Sequence, residues 1–201
     1  MNAPASSGLV AYFGYGSLVN RATHRTDIVD AFPARLIGWR RCWLARPDRP
    51  DIHSSLLSVC REEGAFCDGL LVIDRLDNLA AVDERESGYF RHLVGPHELE
   101  VVRAVPDGCP VYVYEVDGEA PLYSGPSTIM QSYLDAVLQG FLSVYGETGV
   151  RHFLADTHGF DTPIDADRYA PGYPRAVLLT DTERALFDAM LAEKVVGRRD
   201  R

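Results

Sequence analysis

The apolar residues change their spacing once along the chain. Up to about residue 116 they come in short branched and aromatic runs broken by glycine, such as "LVAYFG", "GLLVID" and "PVYVYE". From Ser127 onward Ile129, Met130, Tyr133, Val137, Leu138, Phe141, Leu142 and Tyr145 recur at helical spacing. Strands followed by helices predict an α+β fold, with helices flanking a curved sheet or a small mixed β-barrel.

The elements follow from that pattern. "LVAYFGYG" reads as a buried strand entering a tight loop, and residues 34–46 as a long strand bent or bulged at Gly38. Residues 54–60 and 65–74 read as a strand pair turned at "REEG". Residues 75–86 form a helix capped by Asp74. Three strands then follow in "GYFRHLV", "ELEVVRAV" and "PVYVYEV". The helix at 127–146 is expected to start at Ser127 and stop at Gly146, with a short helix in "GVRHFLADT". Residues 158–176 are a Gly-, Pro- and Asp-rich loop, and Thr180 with Glu183 opens a last helix over 180–195 through a capping box.

With 201 residues, 46% of them hydrophobic, the chain can bury one core, and we read residues 1–201 as one domain with a flexible tail, "VVGRRDR". The net charge of −9 argues against binding nucleic acid or an anionic membrane, which requires clustered Lys and Arg. Cys42, Cys60, Cys67 and Cys109 form no C-x-x-C pair and read as scattered thiols in a reducing cytosol. Neither a leader nor a run of about 20 apolar residues is present, so the expectation is a soluble cytoplasmic protein.

The chemistry concentrates in two stretches. "YFGYGSL" (12–18) ends a strand in two glycines around Tyr15. Such a turn can present backbone N–H groups to a carboxylate or an oxyanion, or it can be a plain strand-to-loop turn. It fits neither G-x-G-x-x-G, a P-loop nor G-x-S-x-G, so Ser17 is not a nucleophile by motif. In the helix at 75–86, Leu76, Leu79, Ala80, Asp83 and Glu86 share one side at about 100° per residue. A carboxylate on an inward face is paired or functional. Glu86, at the helix end, is the candidate for proton transfer; Asp83 suits the plainer task of holding an arginine or backbone N–H groups. The six histidines lack metal-ligand spacing. Cys42 and Cys67 read as core thiols rather than nucleophiles, and Tyr112, Tyr114 and Tyr133 as core aromatics first.

Taken together, "YFGYGSL", "GWRRCW" and "LAAVDERESGY", followed by "MQSYLDAVLQGFL" and "DRYAPGYPRA", resemble the γ-glutamylcyclotransferase-like family, nearest its ChaC-like and AIG2-like branch. The resemblance implies a cofactor-independent, metal-free enzyme that cyclises a small γ-glutamyl amide to 5-oxoproline. Tyr15, Gly16, Ser17 and Leu18 would bind the γ-glutamyl group, Glu86 would be catalytic, and Tyr133 and Tyr114 would line the site. A homodimer is compatible with it. The His-Arg-Gly and Pro-Gly-Arg segments usual in the ChaC branch are missing from "RPDRPDIHSSLLSV", which counts against glutathione as the substrate and leaves the leaving group open among glutathione, γ-glutamyl amino acids and γ-glutamylamines. A hydrolase of another small amide and a binding module without turnover remain open at this point.

Overall fold

The protein is described here by a computed structural model covering residues 8–45, 54–116 and 127–199, the last five by backbone alone. It divides into two compact units, one drawn from residues 1–15, 24–41 and 58–120, the other from 16–23, 42–57 and 121–201.

The first unit is built on a six-stranded sheet. Its strands are β1 (Leu9–Gly14), β2 (Asp30–Leu44), β3 (Leu56–Arg75), β4 (Phe90–Leu93), β5 (Leu99–Val101) and β6 (Val111–Glu115), in the order β4-β6-β1-β3-β2-β5. β1 runs parallel to β6 and antiparallel to β3, so the sheet is mixed. Among the described residues it is open, with β4 and β5 at its edges, and not the closed barrel expected. Val10 to Phe13 are at most 1% exposed, as a central strand covered on both faces requires. This explains why "LVAYF" shows no alternation.

Gly38 does bend β2. Phe32, Ala34 and Leu36 are buried, then Trp39, Arg41 and Trp43, so the buried face moves from even to odd positions across Gly38, whose φ is +80°. One extra residue in a strand does this, and the left-handed conformation suits glycine. The turn expected at "REEG" is absent: β3 is one 20-residue strand running through it, with Gly64 at φ +77°. Two of its polar residues are satisfied in place, Glu62 by Arg40 at 2.7 Å and Arg61 by Glu98. Polar composition alone therefore misled, because a strand with ion-pair partners needs no reversal.

The expected helix at 75–86 is also shorter. β3 continues to Arg75, a 3-10 turn covers Leu76–Asn78, and α1 spans Leu79–Arg85. Asp74 is not a helix cap. It is fully buried and accepts from the Tyr12 hydroxyl at 3.1 Å, Thr26 at 2.9 Å and the Asn78 amide at 2.6 Å. Burial, with the Asp74 charge beside it, holds the Tyr12 phenol well above its usual range.

The second unit holds α2 (Gln131–Asp156), α3 (Asp181–Arg199) and the parallel pair β7 (Ile129–Met130) and β8 (Ile164–Asp165). α2 is interrupted at Gly146, with φ 66° and ψ −167°, as the sequence led one to expect. Ser127 does not cap it; its hydroxyl lies 2.7 Å from that of Ser55. The cap is remote. Asp167, in the 158–176 loop, accepts from the Ser132 N–H at 2.7 Å and the Ser132 hydroxyl at 2.6 Å. Arg168 beside it pairs with buried Asp135 at 2.7 Å and with Asp188 at 2.8 Å, tying the loop to α2 and α3. Thr180 and Glu183 form the expected capping box. In the tail, backbone remains helical to Arg199; residues 200 and 201 lie outside the described set, as does the 46–53 segment.

The cysteines are not all thiols: Cys42 and Cys60 are disulfide-bonded, while Cys67 and Cys109 are free. Cysteine usage thus no longer argues for a reducing compartment. No helix among the described residues is long and apolar enough to cross a membrane.

At Gly140 of α2 a Cβ would stand 2.6 Å from the Asn20 backbone nitrogen. Asn20 is held there by its amide, which donates to the Ala136 carbonyl at 2.9 Å. Helix propensity alone makes Gly140→Ala a gain of about 1 kcal/mol. The contact makes it a loss of about 1–3 kcal/mol. Urea unfolding is expected to show a lower midpoint at unchanged slope; a raised midpoint would contradict the packing described.

Candidate functional site

The second unit carries the glycine turn. Residues 15–20 are all buried. After Gly16 the chain makes a 3-10 turn over Ser17–Val19, with the Val19 N–H donating to Gly16 and the Asn20 N–H to Ser17, each at 3.0 Å. Those two N–H groups are spent inside the turn and are not ligand donors. The Thr23 hydroxyl closes it by donating to the Ser17 carbonyl at 2.7 Å.

Tyr133, near the start of α2, presses its hydroxyl onto this turn. A Cβ at position 16 would stand 2.6 Å from the Tyr133 oxygen and 3.2 Å from Leu57. Glycine is required at 16 because that space is occupied. Tyr173 completes the arrangement: its hydroxyl donates to Ser17 Oγ at 2.8 Å, and its ring meets Tyr133 edge-on at 5.0 Å. The Tyr173 N–H donates to Ser132 Oγ, the same hydroxyl that Asp167 accepts from. The structure thus brings Gly16, Ser17 and Tyr133 together, and the loop at 158–176 supports them.

The first unit carries the acid cluster. Glu86 caps α1 at its C-terminus, its N–H donating to Val82 at 2.9 Å and its carbonyl accepting from Tyr89 at 3.0 Å. Its carboxylate, 17% exposed, takes the Arg85 Nε–H at 2.9 Å, and the Arg85 side chain is 9% exposed. The inward stripe read from the sequence is altered. Leu76 and Ala80 are exposed, Val82 is the buried residue of α1, and Arg85 and Glu86 are half-buried. A 3-10 turn at 76–78 shifts the angular phase, so a stripe extrapolated at α-helical pitch from residue 75 goes astray.

Asp83 holds the neighbouring groups. Arg91 donates to both its oxygens, at 2.7 and 2.5 Å, and the Tyr114 hydroxyl donates to it at 2.6 Å. Tyr15 joins the same unit by donating its hydroxyl to the Tyr114 carbonyl at 2.6 Å. Burial, the hydrogen bond to Asp83 and its charge push the Tyr114 phenol far above its ordinary range. At neutral pH Tyr114 is a donor and not a base. Among the described residues no group of three or more His, Cys, Asp or Glu is placed to hold a metal ion.

No protein-family model matches the sequence, and no curated protein resembles it in sequence. Solved structures resemble it clearly. One, a "Gamma-glutamyl cyclotransferase", superposes with a TM-score of 0.56 at 14% identity over 90% of this chain and 99% of its own. The fold is that of the γ-glutamyl cyclotransferases. A human protein described as uncharacterized aligns with a TM-score of 0.55 at 15% identity, again over 90% of this chain and 99% of its own. YkqA from Bacillus subtilis gives 0.53 at 19% identity over 75% of this chain and 56% of its own.

Sequence reasoning missed Tyr173, Asp167, Ser132 and Arg91. Tyr173 and Ser17 are 156 residues apart, and no local pattern links them. Asp167 could have been found only by asking which acid caps a helix whose own N-terminus carries Met130 and Gln131. The Asp167 carboxyl is subject to burial, which would raise it, but hydrogen bonds from Ser132 and Gly172 outweigh this and hold it below the usual range. A depressed carboxyl stabilises above its unfolded value, about 3.9, and loses that contribution as pH falls through its folded value. Asp167→Asn keeps one acceptor for α2 but must turn an NH2 toward donors. It is expected to cost about 1 kcal/mol at pH 7. The gap in melting temperature from wild type should narrow below about pH 4. A gap that is constant from pH 7 to pH 3 would contradict this assignment.

Proposed function

We propose that the protein is a γ-glutamylcyclotransferase acting on a small γ-glutamyl amide, releasing 5-oxoproline and an amine, amino acid or peptide. The observation that carries the reading is Glu86: a shielded carboxylate at a helix end, oriented by Arg85, on the fold of the γ-glutamyl cyclotransferases. The glycine turn under Tyr133 and Tyr173 supports it, because it gathers the Tyr133, Tyr173 and Ser17 hydroxyls at one buried turn, polar groups of the kind that suit a carboxylate-bearing ligand.

The chemistry asks little of the protein. The substrate's α-amine attacks its own γ-carbonyl carbon, forming the lactam C–N bond, and the amide C–N bond to the leaving group breaks. Holding the substrate bent converts this into an oriented intramolecular attack, worth on the order of 7–11 kcal/mol. One proton must leave the α-ammonium and one must reach the departing nitrogen. Glu86 can accept the first and return it as the second, so protons balance without metal or cofactor. In this reading the Gly16–Leu18 turn binds the γ-glutamyl group and stabilises developing negative charge on oxygen, Tyr133 acts as a neutral donor, Ser17 is a binder, and Tyr114, whose proton goes to Asp83, holds that acid in place. The substrate class includes γ-glutamyl amino acids and γ-glutamylamines, and the proposed compartment is the cytoplasm.

Glu86→Gln keeps the hydrogen-bond acceptor for Arg85 and removes the base. With γ-glutamylalanine as probe, wild type should release 5-oxoproline, and the variant should lose about 10²- to 10⁴-fold in kcat. Its melting temperature should stay close to wild type. Full turnover by folded Glu86→Gln would remove Glu86 from the mechanism, and release of free glutamate by wild type would replace the cyclase with a hydrolase.

A further inference from the structure

Two indoles are present, and the chain treats them differently. Trp39 donates its Nε1–H to Glu98 at 3.2 Å. Trp43, 1% exposed, finds no acceptor for its Nε1–H among the described residues. An indole is a donor only, and a buried donor without a partner is costly to retain. Phenylalanine would fill much of the same space at no such cost.

The position of Trp43 gives the retained donor a meaning. Its backbone N–H donates to the His158 carbonyl at 3.0 Å, and Gly159 lies so close that a Cβ there would be 2.9 Å from the Trp43 carbonyl oxygen. The indole is thereby pinned. Its ring meets Tyr133 edge-on at 5.9 Å and Phe160 at 5.8 Å. Tyr133 is the residue whose hydroxyl rests on Gly16, so Trp43 stands one ring away from the glycine turn. All of these residues belong to the second unit.

We infer that Trp43 is a substrate-binding residue whose indole N–H donates to an oxygen of the ligand, a carboxylate or carbonyl of the γ-glutamyl group. The inference rests on the function proposed above. A neutral, donor-only group among aromatic rings selects an oxygen acceptor and rejects an ammonium at the same point, so it also orients a ligand that carries both.

With only two tryptophans, a ¹H–¹⁵N spectrum of the full chain has two indole resonances, assigned by the loss of one in Trp43→Phe. Titration with 5-oxoproline and with γ-glutamylalanine should move the Trp43 resonance downfield and leave that of Trp39 in place. Trp43→Phe should melt at or above the wild-type temperature, since an unsatisfied donor is removed. Its KM for γ-glutamylalanine should rise about tenfold or more, with kcat changed by less than about threefold, and its thermal shift with 5-oxoproline should vanish. If wild type turns over γ-glutamylalanine while the Trp43 resonance stays fixed, or if Trp43→Phe retains the wild-type KM, the inference falls and the cyclase reading stands. If neither compound binds and no lactam forms, both fall.

Discussion

The contact between the Tyr133 hydroxyl and Gly16 is the constraint on which the rest of the candidate site depends. Any side chain at 16 would occupy the volume of that oxygen. Its absence lets α2 lie against the turn, and Gly140 repeats the device further along the same helix, beneath Asn20. Two positions without side chains thus seat one helix on one turn. The Thr23 hydroxyl, the Asn20 amide and the Tyr173 hydroxyl satisfy it from three directions. A turn fixed this way is preorganised, and polar groups that need not reorganise during a reaction contribute more to stabilising it.

The 158–176 loop has a defined part in this. By composition it is the most irregular stretch of the chain, and irregular stretches often move. Here Asp167 caps α2, Arg168 binds Asp135 and Asp188, and Tyr173 reaches Ser17. The loop is therefore a strap held by charge-assisted hydrogen bonds at its centre, with an aromatic at its end. Its acid, guanidinium and phenol act on α2, α3 and the turn, while Gly159 allows the close approach to Trp43 and the Gly172 N–H donates to Asp167.

Much of the fold was legible, for reasons that can be named. β1 and α2 declare themselves because long apolar runs and helical spacing reflect burial directly. Gly38 and Gly146 are legible because few residues take the backbone they adopt. The failures have a common cause. Local polarity at "REEG" suggests a turn, whereas β3 continues through it, with Arg40 paired to Glu62 and Glu98 to Arg61. Asp74 and Ser127 were read as caps from adjacency, whereas Asp74 is taken by Tyr12 and Thr26 and Ser127 by Ser55. Each depends on a distant residue, which a single sequence does not reveal. In the candidate site, the Tyr133 hydroxyl lies against Gly16, and Glu86 ends α1 just before Ser87-Gly88-Tyr89, where the sequence breaks the helix. Tyr173 and Trp43 were out of reach because their significance lies in what they touch or fail to touch.

The central claim is that the ligand's own amine does the attacking. Wild-type protein given γ-glutamylalanine labelled with ¹⁵N at the α-amine, in water enriched in ¹⁸O, tests this most directly by mass spectrometry of the product. The account predicts 5-oxoproline that keeps the ¹⁵N and takes up no ¹⁸O, with unlabelled alanine released in equal amount. Glutamate carrying ¹⁸O in its γ-carboxyl would contradict it, because water and not the amine would then have opened the amide.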